Sequence, residues 1–275
     1  MEKFVPVGAN DDSVRYLAVS AHKDDMEMFA FDGIVKAYGE NAFAGVVLTD
    51  GGACPRAEQF KDVSDDDMAE LRTAEQKRAA EKGGYAALWL FEKTSAEIKA
   101  RSRDIVEQLA AIMRRYPRLD ALYLHNPFDR HPTHVAACLV ALDAVNLLND
   151  DEKPRKIYGC EVWRDLDWVA DEDKVVFDVS GYDTLASDLM SVFVTQNAVK
   201  RYDIAALARR RANATFCQSH EGDKAQSLIY ALDMTEIAYG TDVEAFAGRI
   251  LDDFKNSLHV KVCCLLYTSP SPRDT

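Results

Sequence analysis

Apolar stretches of two lengths alternate along the chain, which predicts alternating strands and helices. Short runs rich in β-branched and aromatic residues are typical of buried strands, and longer stretches with apolar residues three or four apart are typical of helices. The predicted strands cover residues 14–20, 42–49, 86–90, 121–124, 156–162 and 174–179, and the predicted helices cover residues 28–38, 64–82, 95–115, 132–145, 182–194 and 201–214. Successive strand–helix units favour a right-handed, parallel arrangement. We therefore predict a Rossmann-like α/β three-layer sandwich with a mostly parallel central sheet.

Length and composition are consistent with one large domain. The chain has 275 residues, of which 48% are hydrophobic, enough for a sizeable core. Its formal net charge of −13 argues against nucleic acid as a partner. We expect no secretory signal and no membrane span, because the N-terminus has no basic-then-apolar pattern and no apolar run is long enough. The six cysteines have no CxxC spacing, which favours reduced thiols and a cytoplasmic location.

A first group of candidate site residues follows the first of these predicted strands. His22, Asp24 and Asp25 lie where this strand gives way to a helix. In an open α/β sheet, ligands bind at this edge. His22 and Asp25 are three residues apart, so the first turn of a helix would place them on one face, with Asp24 directed elsewhere. This pattern suits two metal ligands with a separate carboxylate beside the metal.

A second group follows the strand predicted at 121–124. His131 and His134 flank Pro132, which fits the first position of a helix, and the two histidines then share one face. Both groups therefore meet at the same edge of the sheet. His22, Asp25 and one of these two histidines would give a metal two nitrogens and one carboxylate, leaving a position for water as in a catalytic zinc site. Asp24 could then accept a proton from that water as general base.

Two other hypotheses fit these residue types. Two histidines and one carboxylate also bind iron(II) in non-haem oxygenases, so Fe²⁺ is a candidate beside Zn²⁺. Asp24 favours hydrolysis over oxygen activation, and the α/β pattern disfavours the barrel typical of those oxygenases. The third hypothesis is a non-catalytic carbohydrate-binding domain that retains a metal; it predicts that Asp24→Asn changes no measurable activity.

The two groups also resemble the signatures of a known family. Ala-His-Lys-Asp-Asp at 21–25 is similar to the AHPDDE signature, and His-Pro-Thr-His at 131–134 is similar to the HPDH signature, of the PIG-L/LmbE-type zinc-dependent N-acetyl deacetylases. A Thr-Asp-Gly turn at 49–51 and an Arg-x-x-Glu pair at 72–75 match as well, and the similarity runs from about residue 14 to about residue 254. Lys23 departs from the pattern, since it replaces the usual proline and adds a cation beside the site.

The resemblance implies a role for each of these residues. His22, Asp25 and His134 would bind zinc, Asp24 would act as general base, and His131 would steady the oxyanion. The implied reaction removes an acetyl (acyl) group from a small-molecule N-acetylated sugar or glycoside. The sequence is compatible with a monomer or a homo-oligomer.

Three residue groups outside the two signatures are not assigned to the reaction itself. Asp50 and Arg56, in the loop after the second predicted strand, are candidates for binding substrate hydroxyls or an anion, although loop solvation and turn formation explain them equally well. The run at 209–211 is interpreted as solvated charge at a helix C-terminus. Trp163 and Arg164 could form a wall on which a sugar stacks, but we interpret them as packing residues.

The last residues differ in character from the rest. Residues 264–274 can be encoded by a DNA string that matches a transposase adapter used in making sequencing libraries. We therefore expect residues 1–263 to form a single α/β deacetylase-like domain and residues 264–275 to be adapter read-through, disordered because of their Pro and Ser content. Resequencing the source locus tests this, since a genomic reading frame that contains the tail would contradict it.

Overall fold

Strands and helices alternate along the computed structural model, which describes residues 1–117, 119–218, 220 and 222–267. The strands are β1 (Glu2–Phe4), β2 (Tyr16–Ser20), β3 (Phe43–Thr49), β4 (Ala87–Lys93), β5 (Ala121–His125), β6 (Ile157–Cys160), β7 (Lys174–Asp178) and β8 (Leu228–Asp233). The helices are α1 (Asp25–Phe29), α2 (Phe31–Ala37), α3 (Asp65–Lys82), α4 (Ser95–Lys99), α5 (Arg103–Arg115), α6 (Pro132–Val145), α7 (Asp183–Ser191), α8 (Val194–Asn197), α9 (Tyr202–Phe216) and α10 (Val243–Tyr267).

The strands of the described residues form one sheet in the order β1-β4-β3-β2-β5-β6-β8-β7. The five central strands, β4 to β6 in this order, are parallel, whereas β1 at one edge and β8 and β7 at the other pair antiparallel. From β2 the chain builds β3 and β4 on one side and then β5 and β6 on the other. The carboxyl ends of β2 and β5 therefore flank the topological switch point, where open α/β sheets bind ligands.

Helices cover both faces of this sheet. Successive side chains of a strand point to opposite faces, so Leu17 and Val19 of β2 pack in one apolar cluster and Ala18 packs in the other. The first cluster contains side chains of α4, α5, α6 and α10, and the second contains side chains of α1, α2, α3 and α7. The predicted Rossmann-like three-layer sandwich with a mostly parallel sheet is confirmed.

The helices predicted at 28–38 and 95–115 are each interrupted. The first is divided between α1 and α2 at Ala30, and it begins earlier than predicted, at Asp25. The second is divided between α4 and α5, where Arg101 adopts a left-handed backbone with φ 49°. The apolar spacing predicted both helices because the two halves present their apolar residues to the same face of the sheet.

The pattern does not predict β1, β8 or α10. β1 is only three residues long and mostly polar. In β8 all residues from Leu228 to Leu232 are buried, because both of its faces are covered, so its sequence lacks the alternation that marks a half-exposed strand.

The last described helix, α10, extends through Tyr267. The backbone of residues 264–267 continues this helix, with Leu265, Leu266 and Tyr267 exposed, and the disorder expected from residue 264 onward stays a prediction. Residues 268–275 lie outside the described residues, and the origin of the tail stays a prediction. Within the described parts of the chain, no helix combines the length and apolar character that crossing a membrane requires.

Candidate metal centre

The loop from β2 to α1 presents two adjacent carboxylates at the carboxyl edge of the sheet. Asp24 has a left-handed backbone, with φ 96°, and α1 begins at the next residue, Asp25. A non-glycine residue rarely adopts this conformation, and such strain is concentrated at functional sites. Gly45 of β3 lets α1 lie close to the sheet, because a Cβ there would lie 2.5 Å from the Met26 sulfur. Asp24 and Asp25 thus have different backbone conformations, one left-handed and one helical, although they are adjacent in the chain.

The predicted ligands from the two loops meet. His22 Nδ1 lies 3.1 Å from His134 Nε2 and 3.2 Å from Asp25 Oδ2. Asp25 Oδ1 lies 3.4 Å from His134 Nε2, so the two carboxylate oxygens face these two imidazoles separately. The His22 amide also donates to Asp25 Oδ2 at 2.7 Å. Asp25 therefore joins the loop after β2 to the helix after β5.

These separations fit a metal ion. Ligand atoms about 2.1 Å from a tetrahedral zinc ion lie about 3.4 Å from one another. Two overlapping groups of donor atoms lie within 4.8 Å of one another, His22–His131–His134 and Asp25–His125–His134. Both groups contain His134, and the predicted trio takes one further member from each. An imidazole-rich cluster around one carboxylate is the donor set that zinc or iron(II) binds.

His125, which the sequence analysis gave no role, is the neighbour that most resembles a further ligand. Its Nε2 accepts a hydrogen bond from the Ala21 amide at 2.9 Å and lies 3.4 Å from Asp25 Oδ2. Because this lone pair is already engaged, the proton of the neutral ring resides on Nδ1, which has no hydrogen-bond partner among the described residues. The ring stacks on His134 with centroids 4.0 Å apart. His125 thus packs against a proposed ligand and has no free lone pair to offer a metal ion.

The other nitrogen of His134 faces Asp129. Its Nδ1 lies 3.3 Å from Asp129 Oδ1, and both side chains are fully buried. Metal-binding histidines usually pair their second nitrogen with a carboxylate, which fixes the ring orientation. Asp129 Oδ1 also accepts from the His131 amide at 2.9 Å, and Asp129 Oδ2 accepts from the Trp163 amide at 3.1 Å. One buried carboxylate therefore orients the start of α6.

Asp24 and Asp25 have opposite electrostatic environments. Burial raises the pKa of both carboxyls, but for Asp25 the surrounding His134, His125 and His22 outweigh burial and hold the pKa well below its usual range. For Asp24, burial and the negative charge of Asp25 raise the pKa well above its usual value. Asp25 thus suits a charged ligand, and Asp24 suits a group that accepts and returns a proton.

His131 forms the N-cap of α6. Its Nδ1 accepts a hydrogen bond from the Thr133 amide at 3.3 Å. Burial and the neighbouring His22 lower the pKa of His131 to about 4, which keeps the ring neutral. With Nδ1 accepting, the proton of the neutral ring lies on Nε2. His131 is therefore arranged to donate one hydrogen bond from Nε2.

A cavity of about 500 Å³ opens at this edge of the sheet. Its lining includes the predicted site residues His22, Asp24, Asp25, His131 and Asp50. Arg56 does not line it. The Arg56 guanidinium donates instead to the carbonyls of Gly52 and Cys54, at 2.8 and 2.5 Å, and pairs with Asp65. The structure therefore brings Asp50 to the cavity, whereas Arg56 holds its own loop together.

The cavity lining also contains Arg72, Gln196 and Tyr202, for which the sequence analysis predicted no role. Arg72 is 8% exposed, and its Nε has no hydrogen-bond partner among the described residues. Gln196 donates to the Lys23 carbonyl at 2.6 Å. The Arg-x-x-Glu resemblance at 72–75 is the sequence signal that points to Arg72; Gln196 and Tyr202 lie far along the chain and have none.

Lys23 and Arg210 are buried cations with structural partners. The Lys23 ammonium donates to the Asp50 carbonyl at 2.5 Å and lies 3.3 Å from Glu92. Arg210 is 3% exposed and donates to the carbonyls of Glu27 and Met28 at 2.8 and 3.0 Å. The interpretation of the 209–211 run as solvated charge is wrong for Arg210, because the last carbonyls of α1 need donors that the helix itself does not supply.

The part of the chain that holds this site matches a known protein family. Residues 17–145 match the model of the family described as PIG-L: GlcNAc-PI de-N-acetylase. This segment belongs to the PIG-L family. It contains both His/Asp signatures, from His22 to His134. No curated protein matches the chain.

Solved structures share the fold of this chain. The N,N'-diacetylchitobiose deacetylase from Pyrococcus horikoshii is 16% identical, with a TM-score of 0.64 over 82% of this chain and 85% of that one. The 4-carboxy-2-hydroxymuconate hydratase GalB from Pseudomonas putida is 18% identical, with a TM-score of 0.63 over 80% and 96%. The antimicrobial reagent A40926 pseudoaglycone deacetylase is 16% identical, with a TM-score of 0.55 over 81% and 97%. At these identities the likeness establishes the fold.

Proposed function

We propose that this protein is a zinc-dependent hydrolase that removes an acetyl (acyl) group from an N-acetylated sugar or glycoside. The observation that carries the proposal is the meeting of His22, Asp25 and His134, with nearest donor atoms 3.1–3.4 Å apart, beside a separate carboxylate. His22 and Asp25 face a cavity large enough for a sugar. The PIG-L match and the two deacetylases named above support this reaction over other metal-dependent ones.

In this proposal His22, Asp25 and His134 hold the ion. A bound zinc ion would supply a Lewis acid and a water molecule with a pKa of about 7. Asp24 takes the proton of the attacking water, for which its raised pKa is suited, and returns a proton to the leaving amine. His131 donates from Nε2 to the oxyanion of the tetrahedral intermediate, an interaction of about 3–4 kcal/mol in other enzymes.

We assign substrate binding to residues that line the cavity and have free hydrogen-bonding capacity. Arg72 has an unpartnered Nε, and the Asp50 carboxylate accepts one bond, from the Gly52 amide at 3.0 Å. A guanidinium donates hydrogen bonds to sugar hydroxyls, and a carboxylate accepts hydrogen bonds from them. This assignment keeps the sequence-based prediction for Asp50 and replaces Arg56 with Arg72.

The test combines metal analysis with product analysis. Purified protein is analysed for bound metal, depleted with a chelator, and reloaded separately with Zn²⁺ and Fe²⁺. Acetate release is then measured from N-acetylglucosamine, its methyl glycoside and N,N'-diacetylchitobiose, with and without oxygen. We expect acetate without oxygen and restoration by Zn²⁺. A metal-loaded protein that releases no acetate from any N-acetylated sugar contradicts the proposal, and oxygen consumption with a 2-oxo acid would favour the iron oxygenase.

A hydratase is the second candidate, because the fold also occurs in a protein described as a hydratase. Addition of water to a carbon–carbon double bond also begins with an activated water, so the same donor set could serve it. The two reactions differ in their products. Loss of the ultraviolet absorbance of an unsaturated dicarboxylate, with no acetate from any amide, would favour the hydratase.

A further inference from the structure

A second cavity of about 190 Å³ adjoins the catalytic one. Met28, Trp163, Lys200 and Tyr202 line both, so the two spaces are neighbours. We call the second space the side cleft. The proposed hydrolysis uses none of the residues that line the side cleft alone.

The walls of the side cleft are mainly apolar. Val162, Ala206 and Ile229 line it together with the rings of Trp163 and Tyr202. A cavity of about 150 Å³ in another protein is large enough to bind benzene. The side cleft can therefore hold a ring or a short branched chain. An apolar group bound there would be removed from water, which favours binding.

Three cations also line the side cleft, against one carboxylate. The cations are Lys200, Arg209 and Arg210, and none of them forms an ion pair with a carboxylate within the described ranges. The carboxylate, Glu161, is already engaged, because its oxygens accept from Asn213 Nδ2 at 2.5 Å and from the amides of Tyr230 and Leu166 at 3.0 and 3.2 Å. The side cleft thus has an excess of positive charge, with three cations against one carboxylate.

Arg210 stacks on the Phe31 ring but keeps one donor without a hydrogen-bond partner among the described residues. The side chain is 3% exposed, one nitrogen caps α1, and the other terminal nitrogen, Nη1, has no hydrogen-bond partner among the residues described. A buried N–H group without a partner costs free energy, and buried polar groups are almost always paired. An acceptor oxygen on a ligand in the side cleft would satisfy it.

We propose that the side cleft binds a substituent of the substrate, and that this substituent is mainly apolar and carries a carboxylate. The inference rests on the proposed deacetylation and specifies its substrate: an N-acetylated sugar whose glycosidic substituent is aromatic or branched and anionic. The apolar part lies against Trp163 and Ala206, and the carboxylate faces the arginines at 209 and 210. The apolar walls of the side cleft favour a ring, and its positive charge favours a carboxylate over a neutral group of the same size.

The first experiment compares four N-acetyl-β-glucosaminides with metal-loaded wild-type protein. Their substituents are methyl, phenyl, 4-carbamoylphenyl and 4-carboxyphenyl. We expect phenyl to exceed methyl in kcat/KM, and 4-carboxyphenyl to exceed 4-carbamoylphenyl by about tenfold or more, as for a hydrogen bond to a charged group. Equal rates for the carbamoyl and carboxyl compounds overturn the charged part of the proposal.

Variants of α9 locate the effect. Ala206 lines the side cleft and not the catalytic cavity, so Ala206→Phe should fill it and abolish the preferences for phenyl over methyl and for carboxyphenyl over carbamoylphenyl. Ala212→Phe, on an exposed position of the same helix, is the matched control and should keep both preferences. Arg210→Gln should lose the carboxylate preference alone; because Arg210 also caps α1, its melting temperature is measured in parallel. Preferences that persist in Ala206→Phe overturn the proposal.

A binding measurement separates this inference from the proposed function. If the wild type releases no acetate from any compound, deacetylation fails, and the side cleft is then tested with 4-methoxybenzoate, followed by tryptophan fluorescence. Acetate is the control for a carboxylate that binds only the metal. Binding of 4-methoxybenzoate that is about tenfold weaker in Ala206→Phe than in Ala212→Phe supports the side cleft independently. Equal binding to both variants overturns it.

Discussion

His22 Nδ1 and His134 Nε2 lie 3.1 Å apart although 112 positions separate them in the chain. One histidine follows β2 and the other lies in the first turn of α6, directly after β5. These two strands are adjacent and parallel, with Val19 beside Leu124, so their carboxyl ends bring the two loops together. The contact is therefore a consequence of the strand order, and the proposed metal centre depends on it.

Asp24→Asn should retain the metal and lose turnover. The amide keeps the size of the side chain but cannot accept a proton, so we expect kcat to fall by about 10²–10⁴-fold. Acetate release and metal content per chain are measured on the same preparation. Asp66→Asn, at an exposed position of α3, is the control and should match the wild type. Loss of metal in Asp24→Asn would mean that ligand and base are assigned to the wrong residues.

His22 and His125 should differ in their effect on metal binding. His22→Ala removes a proposed ligand, so zinc affinity should fall by about 100-fold or more, beyond the roughly 10–100-fold typical of outer partners. His125→Gln can still accept the Ala21 amide hydrogen bond and should leave the metal content unchanged. Competition with a chromophoric chelator measures both. The opposite order would identify Asp25–His125–His134 as the ligand set.

Arg72 and Arg56 should affect different properties. Arg72→Met should raise KM for an N-acetylated sugar by about tenfold or more with no change in zinc content, because an unpartnered guanidinium nitrogen in the cavity lining is lost. Arg56→Met should lower the melting temperature and leave KM unchanged, because the Arg56 donors are used by the carbonyls of its loop. Steady-state kinetics and thermal unfolding distinguish the two. A raised KM in Arg56→Met alone would restore the sequence-based assignment.

The acid dependence of stability should include a contribution from Asp11. This carboxylate accepts from Arg115 Nε at 2.9 Å, Lys3 Nζ at 2.6 Å and Tyr116 Oη at 3.0 Å, and the hydrogen bond from Arg115 is the main reason that the pKa of Asp11 is well below its usual range. A lowered pKa in the folded state stabilises the protein above the unfolded pKa, near 4, and this stabilisation disappears as the pH falls toward the folded value.

Asp11→Asn should therefore lower the melting temperature by roughly 5 °C at pH 7 and by progressively less below pH 4. Melting temperatures measured from pH 7 to the lowest pH at which the wild type is folded give the comparison. Asp12→Asn, at the neighbouring exposed position, should show no such pattern. A difference between wild type and Asp11→Asn that grows on acidification would refute the assignment.

The structural neighbours and the side cleft bear on the choice of substrate. The fold is shared by proteins described as deacetylases and as a hydratase, so the fold by itself does not select a reaction. The side chains that line the cavities determine which substrate and reaction the protein selects. Trp163 illustrates this: the sequence analysis interpreted it as packing, whereas the structure places it in the lining of both cavities.

The sequence by itself determined the parts of this protein that depend on short-range order. The alternation of strand and helix patterns predicted the three-layer fold, and the residues 22–25 and 131–134 carry their own helix starts, so their ligand atoms could be placed at one edge of the sheet. The helix predicted at 64–82 likewise begins at its own N-cap, since the Ser64 side chain accepts from the Asp67 amide at the start of α3.

Tertiary structure decided the features that depend on partners far along the chain. Arg210 is buried because the carbonyls of Glu27 and Met28 lie beside it, Arg56 is occupied because its own loop folds around it, and His125 is engaged by the Ala21 amide. Whether a charged or polar side chain is solvated, structural or available to a ligand depends on which donors and acceptors surround it. Those neighbours are set by strand order and packing, which a local pattern does not encode.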